Sequence, residues 1–116
     1  MPLARMVVGP LSAMLRALAD DTRLRIVALL RHGDLCVCHI HAALALSQPH
    51  VSRHLAVLRA AGVVEARRKG SWVHYRLAAQ AVGPRQRVLR ALLRALPAGL
   101  ARSDVDRLRR TRGPMT

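Results

Sequence analysis

Ser47-Gln48-Pro49-His50-Val51-Ser52-Arg53-His54-Leu55 decides the fold of this 116-residue chain. Ser47 is a strong helix N-cap, and Pro49 fits the first turn, where its missing N–H has no intrahelical partner to lose. Val51, Leu55 and Leu58 then recur at spacings of four and three, the apolar stripe of a helix that stops at Gly62. Gln48, His50, Ser52, Arg53, His54 and Arg59 interleave with that stripe as its polar face. Glutamine can bond adenine bidentately and arginine can bond guanine, while Ser47, Ser52 and the imidazoles suit phosphates or base edges. The free N–H groups of the first turn add a partial positive charge that favours phosphate. The segment reads as a DNA-recognition helix.

Working outward, residues 36–46 form a short, alanine-rich third helix. Asp20 or Asp21 caps a second helix containing Leu24, Ile26, Val27, Leu29 and Leu30, which His32-Gly33 ends. Residues 10–19 give a first helix, with Leu11, Met14, Leu15 and Leu18 on one face. Beyond Gly62 the period changes. Residues 63–67 and 71–77 read as two strands around Arg68-Lys69-Gly70, a hairpin with glycine at its tip. Residues 85–96 return to helical spacing through Val88, Leu89, Leu92, Leu93 and Leu96, and Pro97 ends that helix.

The fold class that follows is mainly α with a β-hairpin, a winged helix-turn-helix. Its second turn helix enters the major groove, and the wing, with Arg67, Arg68 and Lys69, neutralises backbone phosphates. Residues 1–9 are an N-terminal extension and residues 10–96 the DNA-binding and sensor domain. Residues 97–116 are an Arg-rich tail that holds at most a short helix and frays.

Composition agrees with this reading without choosing the partner. The net charge of +14 and a pI near 12.0 attract polyanions: DNA, RNA or an anionic membrane. Hydrophobic residues make up 52% of the chain, with no Phe, one Trp and one Tyr, so leucine, valine and alanine build the core, and they favour helices. A core this small gains stability by dimerising. No apolar run reaches the length of a membrane span and residues 1–10 lack a signal-peptide core, so the expected location is cytoplasmic.

Asp34-Leu35-Cys36-Val37-Cys38-His39-Ile40-His41 carries both cysteines of the chain, with two imidazoles beside them. The pair can be a disulfide, a redox pair, two buried hydrophobes or metal ligands. An i, i+2 disulfide closes a strained ring, and a reducing compartment disfavours it. On a regular helix, positions i and i+2 point to nearly opposite sides, whereas extended backbone puts them on one face. One ion held by both thiolates therefore requires that this segment not be helical at both positions. Cys38 and His41 can share a helix face, as can Cys36 and His39.

These residues, with Gly70-Ser71-Trp72-Val73-His74-Tyr75-Arg76-Leu77, resemble the arsenical-resistance repressor branch of the ArsR/SmtB family over roughly residues 10–80. Leu18-Ala19-Asp20-Asp21-Thr22-Arg23-Leu24-Arg25-Ile26 is also similar to the family's entry into its second helix. The resemblance implies a homodimer, paired through its first and last helices, that binds palindromic double-stranded operator DNA and dissociates when a toxic metal or metalloid binds. It implies Cys36 and Cys38 as thiolate ligands for As(III) or Sb(III). His41 stands where many arsenic-sensing members carry a third cysteine. Two thiolates with an imidazole also suit zinc, cadmium or another soft divalent ion, with His41 as the tentative third ligand. The carboxylate and histidine set of the family's zinc sensors is missing from residues 85–96.

Other classes fit less well. A thiol enzyme needs a substrate cleft and an activating neighbour, and Glu65 with scattered aspartates offers no paired-acid site. A thiol-redox-sensing regulator usually spaces its cysteines further apart. A nonspecific coat for nucleic acid or membranes would bind by salt-dependent attraction without sequence preference.

Overall fold

The computed structural model describes residues 2–79 and 82–112. Met1 and residues 113–116, the ends of the expected extension and tail, lie outside the described residues. Among the described residues, six helices and a three-stranded sheet make a winged helix-turn-helix.

The first helix, α1 (Pro2–Leu18), starts eight residues before Pro10, the point at which the sequence places it. A proline inside a helix removes one backbone bond and crowds the residue before it. Here that residue is Gly9, which has no Cβ to crowd. Helix α2 (Asp21–Leu30) is capped by Asp20, whose carboxylate accepts from the Arg23 N–H at 3.0 Å. It buries Ile26, Val27, Ala28, Leu29 and Leu30.

The third helix is preceded by an element the sequence does not announce. Leu35–Cys36 is a two-residue strand, β1, and only then does α3 (Val37–Leu44) begin, with Cys36 as its N-cap in extended backbone (φ −76°, ψ 158°). Ala45 ends α3 in the left-handed region (φ 58°). Two residues later Ser47 caps α4 (Gln48–Ala60), and its Oγ accepts from the His50 N–H at 3.3 Å. The buried face of α4 is Val51, Leu55 and Leu58, as its spacing predicts.

Strands β2 (Val64–Lys69) and β3 (Trp72–Leu77) form the hairpin, in register from Val64 opposite Leu77 to Lys69 opposite Trp72. The turn is Gly70-Ser71, so Arg68 and Lys69 belong to the strand and not to the loop that the sequence suggests. The free edge of β3 is covered by β1, which pairs Leu35 with Tyr75 and Cys36 with His74.

After α5 (Pro84–Ala95) the chain makes a last helix, α6 (Arg102–Arg112). This corrects the fraying tail for the residues described. Ala101, Val105 and Leu108 join the same hydrophobic cluster as Ile40 and Leu44 of α3. No helix among the described residues is long and apolar enough to cross a membrane.

Candidate functional site

Two groups of side chains are set out by this scaffold, one at the start of α3 and one on α4 and the wing. At the first, Cys36 leaves the sheet in extended backbone while Cys38 is already in the first turn of the helix. This break in regularity brings the side chains of i and i+2 together. The pair forms a disulfide, with Cα atoms 5.3 Å apart. The sequence disfavours an i, i+2 bridge, and the structure differs: the strand-to-helix junction turns both sulfurs toward one another, as one shared ion would also require.

His39 Nδ1 lies 3.2 Å from Cys36 Sγ, and the ligand atoms of Cys36, Cys38 and His39 fall within 4.8 Å of one another. His41, the imidazole favoured from sequence, is set differently: its Nδ1 is 3.1 Å from the Leu46 carbonyl oxygen beyond the end of α3. Because Cys36 is an N-cap and not a helical residue, its Sγ swings over the first turn toward His39. Cys36 itself is buried at 4% exposure, and its cross-strand neighbour His74 has a buried Nδ1 without a hydrogen-bond partner. Sequence reasoning gave His74 no role; the β1–β3 pairing that places it beside Cys36 has no local signal.

On α4, Ser47, Gln48, Ser52 and Arg53 are exposed and His50 half-buried. Arg67, Arg68 and Lys69 are exposed on β2. The polar face of α4 carries no acid, and the wing's one acid, Glu65, is paired across the strands with Arg76 at 2.9 Å. Every charged side chain of α4 is therefore basic and the wing's single acid is paired, and the free N–H groups of the first α4 turn add to that positive field.

His54 departs from the outward face on which the sequence puts it. Its side chain is only 17% exposed and is wedged between α2 and α4. Arg23 Nη1 sits 3.1 Å from its Nδ1, Asp20 Oδ2 lies 3.9 Å from the same nitrogen, and its Nε2 is 3.1 Å from His50 Nε2. Burial holds the His54 imidazole below its usual value, partly offset by Asp20. The Asp20 carboxyl is lowered, chiefly by the hydrogen bond from the Arg23 N–H. With Arg23 donating to Nδ1, neutral His54 carries its proton on Nε2 and donates it to His50. Sequence reasoning missed Arg23 and the contact of the Asp20 cap with His54; Arg23 lies 31 positions from His54, and the signal is purely tertiary.

Comparison with known proteins places this arrangement in context. The sequence profile described as "Bacterial regulatory protein, arsR family" matches residues 20–66, from the α2 cap into the wing. The arsenic resistance transcriptional regulator ArsR1 of Pseudomonas putida is 60% identical over 63 residues, covering 53% of this chain and 49% of the relative. The arsenical resistance operon repressor of Escherichia coli K12 is 55% identical over 65 residues, covering 55% of this chain and 56% of that one. The chain thus spans about half the length of these curated relatives. Among solved structures, HlyU from Vibrio cholerae superposes with a TM-score of 0.63 at 31% identity, over 75% of this chain and 91% of that one.

Proposed function

Because the chain belongs to the arsR family of bacterial regulatory proteins, we propose that it is an operator-binding transcriptional repressor released from DNA when As(III) or Sb(III) binds Cys36 and Cys38. The observation that carries the sensing half is the gathering of Cys36, Cys38 and His39 at the junction of β1 and α3. The DNA half is supported by the exposed Ser47, Gln48, Ser52 and Arg53 on α4, with His50 beside them, and by Arg67, Arg68 and Lys69 on the wing. Arg53 and Gln48 are the base-reading candidates, and the wing cations bind phosphate. A palindromic operator calls for a homodimer. The exposed Met6, Val8 and Leu15 of α1 supply an apolar surface for a second copy, with α5 beside it.

The metalloid acts on the reduced pair. Each thiol replaces one hydroxide of arsenous acid, the proton leaves with that hydroxide as water, and two As–S bonds form. The third position keeps hydroxide. For a soft divalent ion such as cadmium, zinc or lead, His39 is the better-placed imidazole, and water completes a four-coordinate site.

Coupling to DNA follows from the position of Cys36. It caps α3, whose Ile40 and Leu44 pack in the same core as Val51 and Leu55 of α4, and it is paired with His74 of the wing. Closing two sulfurs on an ion displaces the start of α3 and the edge of the wing sheet together. A coupling of about 1–3 kcal/mol, or roughly 5–150-fold in affinity, is what such transitions supply.

The disulfide favours a second reading, in which oxidation of the pair is itself the signal. Two thiols give two electrons and two protons to a peroxide, which is reduced to water and an alcohol.

The test follows release of a labelled duplex carrying the protein's own promoter, at fixed salt. Arsenite, antimonite, cadmium and zinc are titrated separately onto reduced wild type, Cys36→Ser and Cys38→Ser. Release by arsenite or antimonite that is lost in both variants supports the proposal. Release by cadmium or zinc alone reassigns the inducer, and release by peroxide reversed by dithiothreitol supports the second reading. No release by any of them ends the sensing assignment.

A further inference from the structure

His50 and His54 stand one turn apart on α4, with ring centroids 5.0 Å apart and Nε2 atoms separated by 3.1 Å. We propose that these two nitrogens form a second metal site, independent of the cysteines, for one imidazole-preferring divalent ion of the zinc, nickel or copper(II) class. The competition with DNA described below rests on the reading of α4 as the DNA-contacting helix.

The separation of the two nitrogens suits a shared ion. With each Nε2 about 2.05 Å from the metal, a 3.1 Å gap subtends about 98°, between the octahedral and tetrahedral angles. Helical residues at i and i+4 share a face, so the chelate needs no backbone movement. Water fills the remaining positions from the open side of α4, where Ser47 and Arg53 are exposed.

The surroundings of His54 supply what a ligating imidazole requires. Such a ring binds through one nitrogen and donates the other N–H to a carboxylate or carbonyl, which fixes the tautomer. Asp20 Oδ2 is the carboxylate beside that nitrogen, 3.9 Å from His54 Nδ1, and closes by about 1 Å to accept from it. In the metal-free protein, Arg23 Nη1 donates to Nδ1 and the ring proton sits on Nε2. Binding moves the proton to Nδ1, Asp20 accepts it, and Nη1 of Arg23 turns away while its Nε stays on the Ala17 carbonyl. Both imidazoles are neutral before and after, so no proton leaves them. At the cysteine site, by contrast, every thiol gives one up.

An ion at this position sits against the first turn of α4, whose N–H groups and side chains face the duplex. It blocks that face without passing through α3.

The experiment uses the Cys36→Ser/Cys38→Ser protein, which leaves only imidazole ligands of interest, and nickel(II) chloride as the probe. Paramagnetic broadening of histidine ring protons reports which rings bind. One ion per chain that broadens His50 and His54 first is expected, with affinity falling at least tenfold in His50→Ala. Asp20→Asn keeps the α2 cap, since Asn caps as well as Asp, and weakens nickel by about tenfold because the carboxylate that accepts from His54 Nδ1 is lost. Nickel also displaces labelled duplex from the Cys36→Ser/Cys38→Ser protein, and about tenfold more nickel is needed once that protein also carries Asp20→Asn. Unchanged nickel affinity in His50→Ala, or broadening of other histidines first, overturns the site. Nickel bound at His50 with the duplex retained overturns the competition. A protein that binds no duplex at all counts against the repressor reading, while the nickel titration still decides the site.

Discussion

Arg25 on α2 grips the carboxylate of Asp104 on α6 with two donors, Nη2 to Oδ1 at 2.9 Å and Nε to Oδ2 at 3.2 Å. The same Nη2 donates to the Leu44 carbonyl at 3.0 Å, and Arg107 donates to the Ala43 carbonyl and to Asp104. The last carbonyls of a helix lack intrahelical donors. Two arginines fill that need for α3, and Asp104, only 4% exposed, holds both of them in place. Hydrogen bonding to Asp104 raises the Arg25 guanidinium above its ordinary value.

Asp104→Ala is therefore expected to destabilise the protein by about 2 kcal/mol, below the usual cost of breaking a buried pair because Arg25 keeps a third of its side chain in water. Urea midpoints at unchanged m-value measure it. In a double-mutant cycle with Arg25→Met, a coupling of about 1 kcal/mol is expected, and additivity of the two costs rules the pair out as a stabilising contact.

Ala45 bears the turn between α3 and α4 at φ 58°, a conformation in which an L side chain is strained by about 1–2 kcal/mol and glycine is not. Glycine gives back part of this through the greater freedom of the unfolded chain, about 0.4–1 kcal/mol. Ala45→Gly should raise stability by roughly 0.5 kcal/mol on these figures. A thermal midpoint that falls would mean that the Ala45 methyl packs usefully against a neighbour.

The parts of the fold written into contiguous residues were legible in the sequence. Ser47 as a cap and the Val51, Leu55, Leu58 stripe fix α4 within twelve positions, and alternation followed by glycine fixes the wing. Strand β1 was not legible, because two residues become a strand only through pairing with Tyr75 and His74. Of the two spacings the sequence offers, Cys38–His41 and Cys36–His39, the structure gathers the second, because an extended Cys36 reaches His39 while His41 meets the Leu46 carbonyl. Helix α6 hides among arginines; Ala101, Val105 and Leu108 give it a thin apolar stripe, and its polar anchor is the Arg25–Asp104 pair, 79 positions apart.

Asp20 gives the chain a pH dependence of stated sign. Its carboxyl is lowered in the fold, first by the bond from the Arg23 N–H, so the folded state binds its proton less readily than the unfolded chain does. The stabilisation is complete above the unfolded value, about 3.9, and disappears as pH falls through the lower folded value. In metal-free buffer, Asp20→Ala should cost more stability at pH 6 than at pH 3. Equal costs at both would leave Asp20 as a cap whose charge contributes nothing.

The wing and the recognition helix should separate in a salt titration. Arg68 and Lys69 are exposed on β2 and are the proposed phosphate ligands. Each neutralised phosphate contributes about −0.9 to the slope of log affinity against log salt. Arg68→Ala and Lys69→Ala should each flatten that slope by about one and weaken operator and random duplex alike. Gln48→Ala, on the first turn of α4, should leave the slope unchanged and lose about 1–3 kcal/mol of preference for the operator over a duplex changed at the contacted base. If Lys69→Ala instead erodes the preference and spares the slope, the wing reads sequence, and the division of labour between helix and hairpin is reversed.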